Sequence, residues 1–157
     1  IASTTAEAPA DLLEEDKPFK RMYHGFRLGY TFVNDVPETS ALKSPHLFVI
    51  GYELTQRFEG GSWLNVITVQ NVSVSGVKQS QFLPSLNGLV GFEIMDQFQV
   101  GTGINVFPFD PHEKYIHQVI AVGYTPPAGK MNMPLHFTFI PDTDGNWRVG
   151  GTVGVNW

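Results

Sequence analysis

The sequence contains no cysteine among its 157 residues. This absence excludes structural disulfides, zinc–thiolate sites and a cysteine nucleophile. Charge is also scarce, because Asp, Glu, Lys and Arg make up only 16% of the chain, against roughly 25% in a typical soluble domain. No apolar run approaches the roughly 20 residues of a membrane-spanning helix. The first residues lack the basic and apolar segments of a signal peptide, and the net charge of −5 argues against a nucleic-acid partner.

Aromatic residues and glycines, in contrast, are plentiful, at 13% of the chain and 16 residues respectively. Few charges beside many aromatic side chains suggest an exterior that is not entirely wetted by water. The length suffices for one domain with a sizeable core. Residues 1–17 are small and acidic, so we predict a flexible extension over residues 1–18. The folded domain is then expected to comprise residues 19–157.

From residue 19 onward, apolar side chains recur at every second position, which is the period of a β-strand. Long connections, at 34–44, 75–84 and 107–114, alternate with short ones. This arrangement predicts an all-β fold, an eight-stranded antiparallel up-and-down barrel with long loops at one end and tight turns at the other. The third strand, in WLNVITVQNVSVS, has mixed faces and its register stays open. The other seven strands lie in MYHGFRLGYTF, HLFVIGYELTQRF, LNGLVGFEI, FQVGTGINV, IHQVIAVGY, MNMPLHFTF and NWRVGGTVGVNW.

The composition of the less apolar face indicates which side of the barrel is outside. A soluble lipocalin-like barrel would carry many charges on that face, whereas a transmembrane barrel turns its apolar face outward. Here the face is rich in Gly, Asn, Gln and Thr. Unpaired buried charge is very costly, so we expect the few charges to pair inside a filled polar lumen; a gated narrow pore is the alternative. The predicted lumen charge cluster comprises Arg27, Glu53, Arg57, Glu93 and Arg148.

The last strand provides a length check on the transmembrane hypothesis. Trp147 and Trp157 are ten residues apart on the apolar face. At about 3.3 Å per residue and a tilt of about 40°, they lie roughly 25 Å apart along the membrane normal, the height of an outer-membrane apolar band. Together with Trp63 and Phe98, they are predicted to form an aromatic girdle at the two membrane interfaces.

With these features the chain resembles the small bacterial outer-membrane barrels of the OmpA/OmpX type, over about residues 19–157. Those proteins commonly end on an aromatic residue after an alternating strand, and the barrel-assembly machinery reads this pattern as an insertion signal. Phe is the commoner final residue, so the Trp is a mild departure. The matching positions are Gly151, Val153, Val155 and Trp157. The resemblance implies a bacterial outer-membrane location, contact with outer-membrane lipid and both termini in the periplasm.

Contacts with other envelope proteins are expected through residues 1–17 or through the loops 34–44, 75–84 and 107–114. Enzymes of such barrels use histidine near the membrane surface, but no histidine here lies in a triad-like motif. The segment HEKYIH lacks metal-site spacing, and DTDGN is better explained as a turn than as a calcium loop. We therefore predict no enzymatic activity, no metal and no cofactor. The histidines considered are His24, His46, His112, His117 and His136.

The sequence leaves three hypotheses for the function. The first is a non-enzymatic outer-membrane barrel that acts as a membrane anchor or as a surface or envelope-complex interaction protein. The second is a lipid-modifying outer-membrane enzyme or a narrow channel. The third is a soluble, lipocalin-like ligand-binding barrel, which would dissolve without detergent.

Overall fold

A computed structural model describes residues 20–40, 42–61, 63–110, 114–142 and 145–157. The predicted extension over residues 1–18 and the candidate His112 lie outside the described residues. In the part that is described, no helix is long and apolar enough to cross a membrane. The only helical element described there is a short 3₁₀ turn at Val77–Gln79.

Eight strands of seven to fourteen residues account for most of the described chain. A short hairpin of two strands, each two residues long, is inserted between the sixth and seventh of them, and its Asn132 pairs with Asn156 of the last strand. The eight long strands are β1 (Lys20–Val33), β2 (His46–Glu59), β3 (Leu64–Ser75), β4 (Leu83–Ile94), β5 (Phe98–Val106), β6 (Ile116–Tyr124), β9 (Leu135–Pro141) and β10 (Trp147–Asn156). The inserted hairpin consists of β7 (Pro127–Ala128) and β8 (Met131–Asn132).

The long strands form a closed antiparallel barrel. Each pairs with the next along the chain, with β6 followed by β9, and β1 pairs with β10 from Gly25↔Asn156 to Val33↔Arg148. The prediction of an eight-stranded antiparallel up-and-down barrel is thus confirmed. The prediction of MNMPLHFTF as one strand is wrong at its start, because Met131–Asn132 belong to the β7–β8 hairpin and β9 begins at Leu135. Closure leaves no long strand with a free edge, so the backbone groups of the sheet are paired around the ring.

The three long connections predicted from the sequence lie together at one end of the barrel, but the prediction of only tight turns at the other end is wrong, because residues 125–134, with the β7–β8 hairpin, join β6 to β9 there. Residues 34–45, 76–82 and 107–115 join strands at one end, which we call the loop end. Residues 60–63 and 95–97 form short connections at the opposite end, which we call the turn end. β1 begins at the turn end and β10 finishes there, so residue 20 and Trp157 lie on the same side of the barrel.

The strands present their large apolar side chains outward and their charges inward. Phe26 is 60% exposed and Phe92 is 50% exposed, whereas Arg27 and Glu93 are each 1% exposed. Inward positions are crowded because a small barrel curves its strands strongly. A Cβ added to the inward Gly91, for example, would lie 2.7 Å from the Cα of Gly101 on the next strand. Glycine therefore permits the close approach of β4 and β5.

The register of β3, which the sequence left open, is set by its pairing with β2 and β4. Its odd-numbered residues point inward, so that Asn65, Ile67 and Val69 are buried. Its even-numbered residues point outward, and these include the polar Thr68 and Gln70. β3 thus contributes apolar groups to the lumen and polar groups to the outer surface, which explains the mixed faces in the sequence.

The lumen is less polar than the sequence predicts, and the expectation of a filled polar lumen holds for only part of it. Besides Ile67 and Val69, Val119 is fully buried inside. The loop end is also closed by apolar side chains from strands and connections, because inward positions at strand ends carry apolar residues there. This apolar cluster comprises Val33, Leu42, Leu47, Leu83 and Phe107, with Val36 packed against it.

Candidate functional site

The most densely connected polar site lies inside the barrel near the turn end. Arg27 on β1 forms an ion pair with Glu53 on β2, and the two side chains are almost completely buried. Arg27 Nη1 also donates to the backbone oxygen of Pro134, at 3.1 Å, and Thr55 Oγ1 donates to Glu53 Oε1, at 3.1 Å. These additional hydrogen bonds offset part of the desolvation cost of the buried pair, although the buried Arg27 Nε has no hydrogen-bond partner among the described residues.

A second ion pair lies beside the first. Arg57 Nε is 2.6 Å from Glu93 Oε1, and Arg57 also stacks on the ring of Tyr23, with 5.0 Å between its Cζ and the ring centroid. Glu93 accepts further hydrogen bonds from Asn65 Nδ2, at 3.4 Å, and Gln99 Nε2, at 2.7 Å. Both carboxylate oxygens of Glu93 are thus engaged, as expected for an ionised group removed from water.

Gln99 on β5 and His136 on β9 connect the two pairs across the lumen. Gln99 Nε2 donates to Glu93, which leaves its Oε1 to accept from His136 Nε2, at 2.7 Å. The other ring nitrogen of His136 lies 3.7 Å from Glu53 Oε2. These contacts form one continuous polar network across the lumen, from β1 and β2 to β4, β5 and β9. We call it the turn-end network; it comprises Arg27, Glu53, Arg57, Glu93, Gln99 and His136.

The fifth predicted lumen charge, Arg148, lies apart from the other four, in a second polar set near the loop end. Its Nη2 is 3.1 Å from Asn105 Oδ1 and 3.6 Å from Asp110 Oδ2. Its Cζ lies 4.9 Å from the centroid of the Phe107 ring. His117 Nε2 is 3.1 Å from the same Asp110 oxygen. We call Asn105, Asp110, His117 and Arg148 the loop-end network.

A cavity of about 130 Å³ separates the two networks. Arg148 and Asn105 border it toward the loop end, and Glu53, Gln99 and His136 border it toward the turn end. Its walls carry mainly small and apolar side chains, including Val49, Ile67, Val69, Leu89, Ala121 and Thr138. The cavity therefore lies between the two polar networks.

The other candidate side chains from the sequence, the histidines, are spread over the barrel. His136 contacts the Gln99 amide and the Glu53 carboxylate, and none of its hydrogen bonds within the described residues involves a serine. His24 is on the outer face, where its Nδ1 is 2.6 Å from Tyr52 Oη, and His46 is exposed at the start of β2. Among the residues that the structure describes, no three His, Cys, Asp or Glu side chains are grouped to hold a metal ion.

The aromatic residues predicted for the girdle are all exposed and lie at strand ends. Trp147 begins β10 at the loop end, and Trp157 follows β10 at the turn end. Trp63 and Phe98 lie at the turn end, directly before β3 and at the start of β5. Trp157 also packs edge-on against the ring of His24, with 5.0 Å between the ring centroids. The other positions of the proposed insertion signal, Gly151, Val153 and Val155, face outward on β10.

Five residues of the two networks were not predicted as partners of the lumen charges. Four of them fall on the inward face by alternation, so the sequence indicates their position but not their pairing: Gln99, Asn105, His117 and His136. Asp110 lies in a connection, where no period applies, and nothing in the sequence marks it as the partner of Arg148. Only the inward position of a residue could have indicated such partners, since an Arg on the inward face requires a nearby acceptor.

Comparison with known proteins does not assign the chain to a family. No family model matches the sequence, and no curated protein is significantly similar to it. The function must therefore be inferred from the barrel, its surface and its two internal networks.

Proposed function

We propose that this chain is a non-enzymatic transmembrane barrel of the bacterial outer membrane, which serves as a membrane anchor or as an interaction protein of the cell surface or envelope. One observation carries the proposal: the barrel exposes large apolar side chains around its circumference while it encloses two ion pairs, Arg27–Glu53 and Arg57–Glu93. A soluble barrel has the opposite arrangement.

The apolar exterior is too extensive for a surface that faces water. Phe26 on β1, Val90 on β4 and Ile104 on β5 illustrate it, since each is about half exposed or more. Monomeric soluble proteins rarely expose contiguous apolar patches larger than a few hundred Å². In a bilayer the same side chains contact hydrocarbon, so their exposure costs nothing. The length of β10 between Trp147 and Trp157 corresponds to an apolar band about 25 Å tall.

The backbone and the charges also satisfy the requirements of a hydrocarbon environment. Closure of the sheet by β1 and β10 pairs the strand backbone groups, and only helices and closed barrels achieve this within a membrane. The buried pairs Arg27–Glu53 and Arg57–Glu93 keep charge away from lipid. The same pairs, with the loop-end network beyond the cavity, favour a plugged lumen over a conducting pore.

The two ends of the barrel then have different roles. By analogy with small outer-membrane barrels, the loop end would face the cell exterior, where loops 34–44, 75–84 and 107–114 would make surface contacts. The turn end would face the periplasm with Trp157 and with residues 1–17, which would contact an envelope partner. Insertion would depend on the barrel-assembly machinery.

The proposal is tested by producing the chain with an export signal in a Gram-negative host and isolating the outer membrane. We expect the protein to remain in the membrane after a carbonate wash and to migrate faster on gels when unheated than when boiled, because a lipid-embedded barrel resists dodecyl sulfate. Recovery in buffer without detergent, with no heat-dependent shift, would overturn the proposal.

Orientation is tested on the same preparation, because the chain has no cysteine of its own. Val77→Cys places a thiol at the loop end, and Met95→Cys places one at the turn end; both native side chains are exposed. A membrane-impermeant maleimide should label the first in intact cells and the second only after permeabilisation. The reverse pattern would contradict the assignment of the turn end to the periplasm.

A further inference from the structure

The outer surface of the barrel carries a patch of polar groups at the middle of three neighbouring strands. Around β9, β10 and β1 the outward positions at mid-strand are apolar or glycine, whereas on β3, β4 and β5 they include polar groups. Thr68 and Gln70 are on β3, Gly88 is on β4 and Thr102 is on β5. We call these four residues the outer polar stripe.

The strand pairing brings the members of the stripe together. Gln70 is directly opposite Gly88, and Val90 lies between Thr68 on one side and Thr102 on the other. Each member is near the centre of its strand, since Gln70 lies midway along Leu64–Ser75 and Thr102 midway along Phe98–Val106. In the proposed membrane location, the stripe therefore faces the hydrocarbon rather than the headgroups.

The polar groups of the stripe differ in how well they are satisfied. Thr102 Oγ1 donates to the backbone oxygen of Val119, at 3.0 Å, and accepts from Gln118 Nε2, at 3.4 Å. The side-chain amide of Gln70 is exposed, and no hydrogen bond among the described residues involves it. A primary amide without a partner in hydrocarbon is costly, so Gln70 requires a partner from outside the chain.

Gly88 supplies room for that partner. A Cβ added at Gly88 would meet nothing within 4 Å, so the surface beside Gln70 is recessed and open. The exposed Val72, Leu86 and Val90 border the recess and supply apolar contact area. Between transmembrane helices, small residues beside a polar side chain are typical of interfaces, because they let two backbones approach and a hydrogen bond form between them; the same geometry is available to two barrels at Gly88 and Gln70.

We infer that the outer polar stripe is the interface between two copies of this chain in the membrane, with the Gln70 amides hydrogen-bonded across a two-fold axis. A second copy fits better than a lipid tail, which offers no donor or acceptor. An amide has donors and an acceptor, so it is complementary to itself, and the stripe carries no charge that would repel its copy. A two-fold interface places the same patch on both partners. The inference rests on the proposed membrane location.

Single-cysteine variants test this interface with a matched control. Gly88→Cys places a thiol in the stripe, and Gly151→Cys places one at the middle of β10, on the wholly apolar side. Both glycines face outward, and a Cβ added at Gly151 would lie 4.0 Å from its nearest neighbour, the backbone oxygen of His136. Because the chain has no other cysteine, a disulfide in oxidised membranes reports one position only.

We expect the Gly88→Cys chain to form a dimer of twice its mass, with a yield about tenfold above that of Gly151→Cys. Adding Gln70→Leu should lower the yield of Gly88→Cys toward the control, whereas Gln56→Leu, which removes an outward amide near the turn end of β2, should not. Equal yields at the two positions, a product of another mass at Gly88, or no effect of Gln70→Leu would overturn the inference.

Heat-dependent migration measured on the same samples separates this inference from the proposed function. Variants that shift on heating but remain monomeric would refute the dimer and leave the membrane location intact. Variants that are found in the soluble fraction, together with the unsubstituted chain, would refute the membrane location itself and the dimer with it.

Discussion

The two polar networks inside the barrel are built differently. In the turn-end network every member is a strand residue, and the paired charges Arg27 and Glu53 are on adjacent strands. In the loop-end network the only carboxylate is Asp110, which lies in the connection between β5 and β6. One network thus depends on the sheet alone, and the other depends on how a loop folds over the lumen.

This difference indicates separate roles for the two networks. A slip of one residue between β1 and β2 would turn Arg27 or Glu53 outward, because side chains alternate along a strand. The turn-end network therefore penalises wrong registers during assembly. The loop-end network imposes no such constraint through Asp110. Instead it joins Arg148 of β10 to the connection that follows β5, beside the apolar cluster, where Arg148 contacts the Phe107 ring.

The largest effect is expected from breaking a pair of the turn-end network. Arg27→Met leaves Glu53 buried without its cation, and we expect a loss of about 3–5 kcal/mol in the free energy of unfolding, as for other buried pairs that lose one partner. The measurement is urea unfolding of the barrel in lipid vesicles, followed by tryptophan fluorescence.

The double variant Arg27→Met/Glu53→Leu serves as the control, because it removes both charges and leaves no uncompensated carboxylate. It should recover much of the lost stability, since buried pairs and apolar side chains of similar volume are often equivalent. If the single variant unfolds like the unsubstituted barrel, the pair is not holding the strands in place.

A smaller effect is expected in the loop-end network from Asp110→Asn. Arg148 keeps its hydrogen bond to Asn105 and its contact with the Phe107 ring, and its separation from Asp110, at 3.6 Å, is longer than a hydrogen bond. The carboxylate also lies 3.1 Å from His117 Nε2, so we expect a loss of about 2 kcal/mol in the same unfolding assay, the value of one hydrogen bond to a charged group. A loss as large as that of Arg27→Met would show that the loop contributes as much as the strands.

Three local properties of the sequence were sufficient to predict the strands, the loop end and the inward position of the charges. The strands follow from a period of two, the loop end from the lengths of three connections, and the inward charges from the glycine-rich composition of one face. The register of β3 was not predictable in this way, because its faces are mixed: Val69 points inward and Gln70 outward. Only pairing with β2 and β4 assigns them.

For a related reason, the separation of Arg148 from the other charges could not be predicted from the sequence. Alternation tells which face a residue is on but not its height in the barrel, which depends on the stagger between all eight strands. Asp110 could not be found at all, since a loop residue has no face. The apolar lining of the cavity was also missed, because inward Val69 and Val119 were outweighed by the many inward glycines and amides.

The smallest effect is expected outside both networks. Arg21 on β1 also forms an ion pair, with 2.9 Å between its Nε and Glu59 Oε1, but its side chain is 51% exposed and that of Glu59 is 29% exposed. Water and salt screen such a pair, and its attraction is largely offset by the entropy of holding two long side chains. Arg21→Gln should therefore leave the urea midpoint nearly unchanged. Arg27, further along β1, is expected to be critical for stability. Burial, rather than the presence of an ion pair, would then determine how much stability each arginine contributes. A loss after Arg21→Gln that persists in high salt and rivals that of Arg27→Met would contradict this explanation.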